Sequence, residues 1–594
     1  MPNEIITLQL GRYANYVGTH WWNIQESAFA YQDGDELSES DPDAMFREGE
    51  TLRGETTFTP RLVLVDTKDS LATLPSQGSL YNEESYGEED AHYLWDNGVD
   101  VHQSKALPKN QFLQDLQKEE LQAPTNGFQN GHSSNCSSDP KSYAFEKVVS
   151  TWSDYKRIHY HPRTTILIDS NPVDKSKLES FHFGYEEAKT GTVLNEIEES
   201  VRFFAEECDA LQGFHILCNM DDAFGGMACS VSEYINDEFG RNICACFPVL
   251  HPPSPLANVS KLRNRSLSNL LTLEGLLETS GFVVPLSVCQ ELFKSKAKSF
   301  PHLIYNAQLE YHTSAVLAAS LECMTRAYRS RSRRSSVSDI VVNMVSGSRK
   351  LLELSSSLPL PYDHISHECF ADFLCDYSDS MFYHSLTPYT SAASPVVKTF
   401  SQNVSLMGLT SLEFVTPAHL TEQSALHQCS NPTAMIKMYM KERFQNSQCS
   451  VTVVEEAMKT LTPYPQIFSE CVQFDGSITT MKKPSKFSDQ YTEFLLNGNS
   501  STTSSKKQLQ NGHGDKASPN SVSSVPMMTV LEASTSVGQL LKQSYEQGIM
   551  LRKWHARLGN SDTESHLDET IEKLQTLERD YQVCTEFSDD DSSD

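Results

Sequence analysis

The chain has 594 residues and carries 48 lysines and arginines against 78 aspartates and glutamates, a formal net charge of −30. This length exceeds one domain several times over, which predicts two or more domains with separate cores and excludes a mini-protein stapled by disulfides. The negative charge repels nucleic acid, so none is expected as a partner. Hydrophobic residues make up only 38% of the chain, which predicts disordered insertions.

The fourteen cysteines and the histidines lack the spacing of a local metal motif. The tightest cysteine pair, Cys244 and Cys246, has one residue between its members, which excludes a zinc CxxC ladder and predicts thiols in a reducing compartment. His159 and His161 alternate without a third ligand nearby in sequence, so we predict no metal site. No stretch approaches the ~18 apolar residues of a membrane span, so any membrane contact is expected to be peripheral.

The first elements have the pattern of a buried sheet. Residues 4–10 alternate in polarity and lead through Gly11 into a helical pattern over 15–22, which predicts strand, glycine turn and helix. Residues 60–66 and 163–169 are largely apolar runs that each end in an aspartate. Such runs are typical of parallel strands covered on both faces.

Helix and strand patterns continue to alternate after these strands. Apolar residues recur at helical spacing over 194–210, and residues 211–217 form a short apolar run. This alternation predicts a doubly wound α/β sheet, whose ligands bind at the carboxyl ends of the strands.

Three polar segments interrupt the regular pattern. Residues 31–58 and 115–142 mostly lack helical or strand periodicity, and residues 495–524 are low-complexity sequence rich in Ser, Asn and Gly. Loops of this length inside a domain are usually disordered, so we expect disordered insertions at all three places.

Two amphipathic helices and an acidic tail end the chain. The first helix carries an apolar stripe from Val537 to Trp554, and the second carries one from Leu567 to Tyr581. Such a stripe usually packs on its own domain, and the alternative is a helix that binds a partner. Residues 588–594 are expected to be a solvated acidic tail.

The order of these segments resembles tubulin. Residues 11–18 resemble the first phosphate loop of tubulins, with both glycines and the Asn kept, and residues 60–66 resemble their second nucleotide strand. Residues 207–214 nearly repeat the tubulin sequence before the glycine-rich loop, and Asn269 falls where tubulins place a nucleotide-contacting Asn. The C-terminal helices and tail are similar to those of tubulins as well.

The resemblance implies a tubulin-like α/β fold with a doubly wound parallel sheet, an α+β intermediate domain and a C-terminal helical hairpin. The implied boundaries are 1–313 for the nucleotide-binding-type domain, 314–330 for the central helix, 331–535 for the intermediate domain, 536–587 for the C-terminal helices and 588–594 for the tail. The implied residues of a vestigial nucleotide site are Gly11, Asn15, Gly18, Asp66, Gly225, Gly226 and Asn269.

The chain departs from tubulin at positions that bind phosphate, hold magnesium and catalyse hydrolysis. In the glycine-rich loop at 219–226, Asp221 and Asp222 place negative charge where a triphosphate needs donors. Lys68 stands where tubulins have an acid that helps to hold magnesium, and the catalytic loop at 330–336 has no carboxylate. We therefore expect no catalytic residues, no appreciable GTPase activity and no required cofactor, with weak residual GTP binding as an open alternative.

A structural explanation of the same site residues is also open. Gly11 and Gly18 would supply backbone freedom at sheet-to-helix turns, and Asn269 would begin a helix as its N-cap. In that case these residues preserve an inherited fold and bind nothing.

The altered glycine loop, the long insertions and the Trp21-Trp22 pair resemble the Misato family, and the chain is identified as an animal member of it. The resemblance implies a cytoplasmic protein on the cytosolic face of the mitochondrial outer membrane that governs mitochondrial distribution, morphology and fusion. The alternative is a cytoskeletal or spindle-assembly factor that binds tubulin or its chaperonin folding machinery, or a weak GTP-binding switch.

A basic loop stands out in this acidic chain. Residues 331–336 contain three arginines followed by Ser335 and Ser336, a pattern that suits a basophilic kinase or a weak contact to anionic lipid headgroups. We therefore predict phosphorylation at Ser335 or Ser336. The alternative is a solvated loop whose arginines pair with carboxylates of the same chain.

Overall fold

A computed structural model gives the structure of the chain. It describes residues 3–29, 39–51, 54, 56–74, 108–122, 143–168, 177–252, 258–291, 296–331, 335–390, 397–417, 419–420, 423–429, 431–445, 447–479, 521–556 and 561–582.

The strands in chain order are β1 (Glu4–Leu10), β2 (Phe46–Glu50), β3 (Thr56–Pro60), β4 (Leu62–Thr67), β5 (Thr165–Ile168), β6 (Leu211–Asn219), β7 (Ile243–Val249), β8 (Phe282–Val283), β9 (Glu353–Ser357), β10 (His384–Ser385), β11 (Thr399–Met407), β12 (Gln448–Val454), β13 (Met458–Lys459), β14 (Ser524–Val525) and β15 (Met527–Ser534). The α-helices are α1 (Arg12–Ser27), α2 (Gln111–Gln122), α3 (Phe145–Val148), α4 (Phe181–Thr190), α5 (Thr192–Glu206), α6 (Ala223–Glu238), α7 (Val259–Thr279), α8 (Glu310–Arg329), α9 (Val337–Met344), α10 (Phe370–Asp376), α11 (Pro432–Arg443), α12 (Val537–Ala556) and α13 (Ser561–Tyr581).

Six strands of the N-terminal half form a parallel sheet in the order β5-β4-β1-β6-β7-β8. Strand β1 lies between β4 and β6 and is parallel to both. The strands predicted at 4–10, 60–66, 163–169 and 211–217 are β1, β4, β5 and β6. The prediction of a parallel α/β sheet is therefore confirmed for this region.

Helices cover both faces of the parallel sheet. Ile5 of β1 belongs to a core shared with α1 and α8, whereas its neighbour Ile6 belongs to the opposite core, shared with α4 to α7. Trp21 and Trp22 of α1 are fully buried in the first of these cores. Because successive side chains of β1 point to opposite faces and each face is covered by helices, both faces of the strand are buried, including its polar residues Thr7 and Gln9.

The second sheet is mixed and has five strands in the order β10-β9-β15-β11-β12. Strand β11 is parallel to β12 and antiparallel to β15. Helix α8, which spans most of the predicted central helix at 314–330, packs on α1 and also contacts β11 and β15. A third core on this sheet joins Val404 and Val530 to Phe373 of α10 and Met435 of α11.

A buried cluster of charges joins α1 to α8. Glu322 is fully buried, and its Oε2 accepts hydrogen bonds from Trp21 Nε1 at 3.0 Å and Arg329 Nη2 at 2.6 Å. Arg326 Nε lies 2.9 Å from Glu322 Oε1, and Arg329 Nη1 donates to Gln25 Oε1 at 3.1 Å. Since two arginines share one carboxylate inside the protein, each charge depends on the others to offset its desolvation.

The C-terminal helices α12 and α13 pack on each other and on α7. Leu540 of α12 and Leu567 and Leu574 of α13 are buried in the second core of the parallel sheet. The Tyr581 hydroxyl donates to the carbonyl oxygen of Leu351 at 2.8 Å. The apolar stripes of both helices thus face this chain's own domain.

The disorder predicted at 31–58 and 115–142 is wrong for part of each segment. Strands β2 and β3 form an antiparallel hairpin, and Phe46 of β2 packs edge-on against Trp22 with ring centroids 5.5 Å apart. Helix α2 continues to Gln122. Both elements are mostly polar, so their few apolar contacts leave little trace in the sequence pattern. Residues 30–38, 123–142, 495–520 and 588–594 lie outside the described residues.

We expect Glu322→Gln to lower the free energy of unfolding by about 3–5 kcal/mol, because it removes the carboxylate that Arg326 and Arg329 share and leaves Arg326 only a 3.9 Å contact with Glu456. Urea titration followed by tryptophan fluorescence measures the change. The control is Asp568→Asn, which breaks a half-exposed pair with Arg552 and should cost less than about 1 kcal/mol. Equal losses in the two variants would contradict the structural role of this cluster.

Candidate nucleotide site

The carboxyl ends of four parallel strands meet at one edge of the first sheet, called here the carboxyl edge. Strands β1, β4, β6 and β7 end there at Leu10, Thr67, Asn219 and Val249. Helices α1 and α6 begin at the same edge, and helix N-termini favour anions because their first N–H groups lack intrahelical acceptors. Doubly wound sheets bind their ligands at this place.

Two side chains, one at the last residue of β6 and one in the loop that follows it, connect these helix N-termini. Asn219 Oδ1 accepts the backbone N–H of Ala14 in the first turn of α1 at 2.9 Å. Asn219 Nδ2 donates to Asp222 Oδ2 at 2.7 Å, and Asp222 Oδ1 accepts the backbone N–H of Phe224 in α6 at 2.9 Å. This Asn219–Asp222 bridge puts a carboxylate of the chain where nucleotide-binding proteins hold a phosphate.

An ionic network surrounds the bridge. Arg265 Nη2 lies 2.7 Å from Asp221 Oδ2 and also donates to the backbone oxygen of His251. Glu310, the first residue of α8, pairs with Arg12 at 3.0 Å and with His251 Nε2 at 3.0 Å. Burial alone would raise the pKa of Glu310, but His251 and Arg12 hold that pKa below its usual value.

The carboxylate of Asp66, one of the predicted nucleotide-site residues, already accepts hydrogen bonds on both oxygens. Its Oδ2 accepts from Asn15 Nδ2 and from Trp152 Nε1, both at 2.8 Å, and its Oδ1 accepts from the backbone N–H of Thr67 at 2.7 Å. Burial raises the pKa of Asp66, and these hydrogen bonds oppose the rise. Lys68 follows in a short 3₁₀ turn and is exposed.

The basic loop after α8 is described only at its two ends. Arg331 Nε donates to the backbone oxygen of Ser40 at 3.2 Å, and residues 332–334 lie outside the described residues. Ser336 is the N-cap of α9: its hydroxyl donates to Asp339 Oδ2 at 2.9 Å and accepts the backbone N–H of Asp339 at 3.3 Å. Ser335 is half-buried.

Three of the predicted glycines have a geometric reason to be glycine. Gly11 has a φ of 99°, a conformation that a side chain strains. A Cβ on Gly225 would lie 2.2 Å from Thr272 Oγ1, and one on Gly226 would lie 2.0 Å from the carbonyl oxygen of Phe181. The last two glycines therefore permit close packing of α6 on α7 and α4.

Two structural explanations offered for the site residues are wrong. Gly18 lies inside α1 and not at a turn, and a Cβ there would meet the side chain of Gln9 at 1.9 Å. Asn269 is not an N-cap, because α7 begins at Val259 with Asn258 as its cap. Asn269 is 3% exposed, and neither atom of its side-chain amide has a hydrogen-bond partner among the described residues.

Sequence reasoning missed Trp152, Arg265 and Glu310 and the linking role of Asn219. These residues come from separate segments, and their contacts at the carboxyl edge form only after folding. A local signal exists only for Asp222, which directly precedes α6, because Asp is a favoured N-cap residue.

The residues at the carboxyl edge do not fit a triphosphate bound as in the glycine-loop mode. The Asp222 carboxylate takes the anion position at α6, and Asn219 caps the first turn of α1. Asp66 already receives two side-chain donors on one oxygen.

The sheet, its carboxyl edge and a family comparison define the class of protein. Residues 142–330 match the family model described as "Tubulin domain", and residues 3–118 match the one described as "Misato Segment II tubulin-like domain". The chain thus contains a tubulin-like domain, built on the six-stranded parallel sheet.

Full-length relatives give the family. The chain is 30% identical to protein misato homolog 1 of Danio rerio, over 100% of this chain and 99% of that protein. It is 30% identical to protein misato homolog 1 of Homo sapiens, over 80% of this chain and 86% of that protein. It is 27% identical to protein misato of Drosophila melanogaster, over 96% and 97%. The chain belongs to the Misato family.

The charges on the loop after β6 are partly offset. Asp221 is paired with Arg265 at 2.7 Å, and the pKa of Asp222 is raised to about 7 by burial first and by neighbouring Asp221 second. Repulsion of phosphate by one or two negative charges on this loop stays a prediction. The contacts add that the Asn219–Asp222 bridge already occupies acceptor positions at both helix N-termini.

We expect Asp222→Asn to change how stability depends on pH. Between about pH 4 and pH 7 the folded chain holds a proton on Asp222 that the unfolded chain has lost, so this residue's stabilising contribution is full below pH 4 and is lost as the pH rises through 7. Asn keeps the helix cap without titrating. Urea unfolding at pH 5 and pH 7.5 should therefore show wild type losing stability relative to the variant. A constant difference between the two proteins would contradict the raised pKa.

Proposed function

We propose that this chain is a non-enzymatic tubulin-like protein that regulates mitochondrial distribution, morphology and fusion by surface contacts at the mitochondrial outer membrane. The observation that carries the non-enzymatic part is the Asn219–Asp222 bridge, in which the chain's own carboxylate caps the helix that would bind phosphate. The mitochondrial part rests on the resemblance to the Misato family.

The residues around the bridge support the absence of hydrolysis. Metal-assisted phosphoryl transfer needs a carboxylate to hold magnesium and a group to orient the attacking water. Asp66 Oδ2 already accepts hydrogen bonds from Asn15 and Trp152. The sequence of residues 330–336 contains no aspartate or glutamate. The nucleotide-site residues then serve as structural parts of the edge.

Peripheral attachment is part of the proposal. No helix among the described residues has the length and apolar character that crossing a membrane requires. We assign the mixed sheet to a tubulin-like intermediate domain and α12 and α13 to the C-terminal hairpin, because they follow α8 in the tubulin order. Contacts with the outer membrane would then use surfaces of these two parts.

Residual GTP binding is the second candidate, and one observation favours it. Asn269 keeps both amide atoms unpaired while 3% exposed, and the hydroxyl of Thr272, one turn later on α7, also lacks a partner among the described residues. A buried amide without partners costs free energy, so a polar ligand would satisfy it. A cytoskeletal role that binds tubulin or its chaperonin is supported only by the shared fold.

The capping contacts refine the proposed phosphorylation. The Ser336 hydroxyl is engaged with Asp339, and a phosphate there would lie beside that carboxylate. Ser335 is not used as the cap. We therefore propose Ser335 as the preferred acceptor next to the basic loop.

Asn269→Leu tests the proposed function against the GTP-binding alternative. If nothing binds this amide, removing it should leave the free energy of unfolding unchanged or raise it by about 1 kcal/mol. In cells depleted of the protein, the variant should restore the mitochondrial network as well as wild type does, and neither purified protein should turn over GTP.

The outcomes separate the two parts of the proposal. GTP turnover by wild type that Asp66→Ala abolishes would overturn the non-enzymatic part. Rescue by wild type but not by a stably folded Asn269→Leu would favour a nucleotide switch. Unchanged mitochondria together with spindle defects after depletion would overturn the mitochondrial part.

A further inference from the structure

Three side chains able to bind a metal ion meet in the third core, on the second sheet. Cys369 directly precedes α10, Asp372 lies in its first turn, and His427 lies in the short 3₁₀ turn Leu426–Gln428. One ligand atom of each residue lies within 4.8 Å of the other two. In the described ranges, no other three His, Cys, Asp or Glu side chains meet this condition.

Asp372 and His427 are held in place by a hydrogen bond to each other and by one further partner each. His427 Nε2 lies 2.8 Å from Asp372 Oδ1, and the other ring nitrogen, Nδ1, lies 2.8 Å from Ser424 Oγ. Asp372 Oδ2 accepts the backbone N–H of Glu368 at 3.2 Å. Histidines and carboxylates that bind metals usually have such partners, which fix the orientation of the ligand atom.

The cluster is buried on the side of Cys369 and His427 and reaches solvent on the side of Asp372. Cys369 is 1% exposed and His427 is 2% exposed, whereas the side chain of Asp372 is 23% exposed. Phe370 and Leu426 are buried next to the ligands in sequence and belong to the same core. An ion would thus reach the cluster from the Asp372 side while the apolar wall excludes bulk water.

We propose that Cys369, Asp372 and His427 form a binding site for a divalent cation of the zinc class. One sulfur, one imidazole nitrogen and one carboxylate oxygen suit Zn²⁺, whereas Ca²⁺ and Mg²⁺ take oxygen ligands. Three protein ligands leave the fourth tetrahedral position for water.

Binding requires a rearrangement of protons and ligand atoms at the cluster. The Cys369 thiol releases its proton to solvent, and His427 changes tautomer, so that Nε2 is free to bind the ion while Nδ1 carries the proton and donates a hydrogen bond to Ser424 Oγ. The two ligand atoms, now 2.8 Å apart, must separate by a few tenths of an ångström to surround the ion. Local spacing predicted no metal site, because Asp372 and His427 stand 55 residues apart in the chain.

Cobalt substitution in the full-length protein tests the site. After treatment with a chelator, wild type should bind one equivalent of Co²⁺ with a thiolate-to-metal charge-transfer band, and Zn²⁺ should displace it. Cys369→Ser should abolish the band. Loss of an outer partner typically weakens metal binding about 10–100-fold, so Ser424→Ala should fall in that range and His427→Gln should lose more.

Two residues outside the cluster provide matched controls. Cys449 of β12 is a partly buried cysteine packed against the same third core but is not one of the three ligands, and His419 pairs with Glu368 on the exposed surface. Cys449→Ser and His419→Gln should keep both the band and the affinity. A missing band in wild type, a band that persists in Cys369→Ser, or equal loss in Cys449→Ser would overturn the proposal.

Zinc X-ray absorption on the unmodified protein covers the case in which a variant fails to fold. With one equivalent of Zn²⁺, the spectrum should fit one sulfur at about 2.3 Å and three nitrogen or oxygen atoms at about 2.0–2.2 Å. No sulfur, or two or more, would show that the ion binds elsewhere among the acidic groups or the fourteen cysteines.

Discussion

The N-termini of α1 and α6 converge on one edge of a parallel sheet, and their unpaired N–H groups require acceptors there. The Asn219–Asp222 bridge supplies these acceptors from within the chain. Nucleotide-binding proteins meet the same need with a phosphate. In this tubulin-like domain the chain itself therefore supplies acceptors to both helix N-termini.

Helix α8 connects the carboxyl edge of the parallel sheet to the second sheet. Its first residue, Glu310, pairs with Arg12 beside the carboxyl edge, and Glu322 further along joins Trp21 of α1 to two buried arginines. The same helix packs on the second sheet. The carboxyl edge and the mixed sheet are therefore held in one arrangement, which suits a protein that acts through its surface.

The elements that could be predicted from the sequence are those whose burial shows in a local run of apolar residues. Strand β4 was predictable because every side chain of the run before Asp66 is buried, whereas the β2–β3 hairpin was missed because it buries few apolar groups beyond Phe46. Asn269 was misplaced because α7 begins ten residues earlier, at Val259. The bridge and the Cys369 cluster join distant segments, so no spacing rule reveals them.

Amide hydrogen exchange at the two helix N-termini tests the bridge most directly. The peptides to follow cover residues 11–18 and 219–227, compared with and without saturating GTP and Mg²⁺. If the chain itself fills the anion position, exchange in both peptides should be unchanged by the nucleotide. Strong protection of both peptides on addition of GTP would contradict the account, because it would show that phosphate displaces Asp222 from α6.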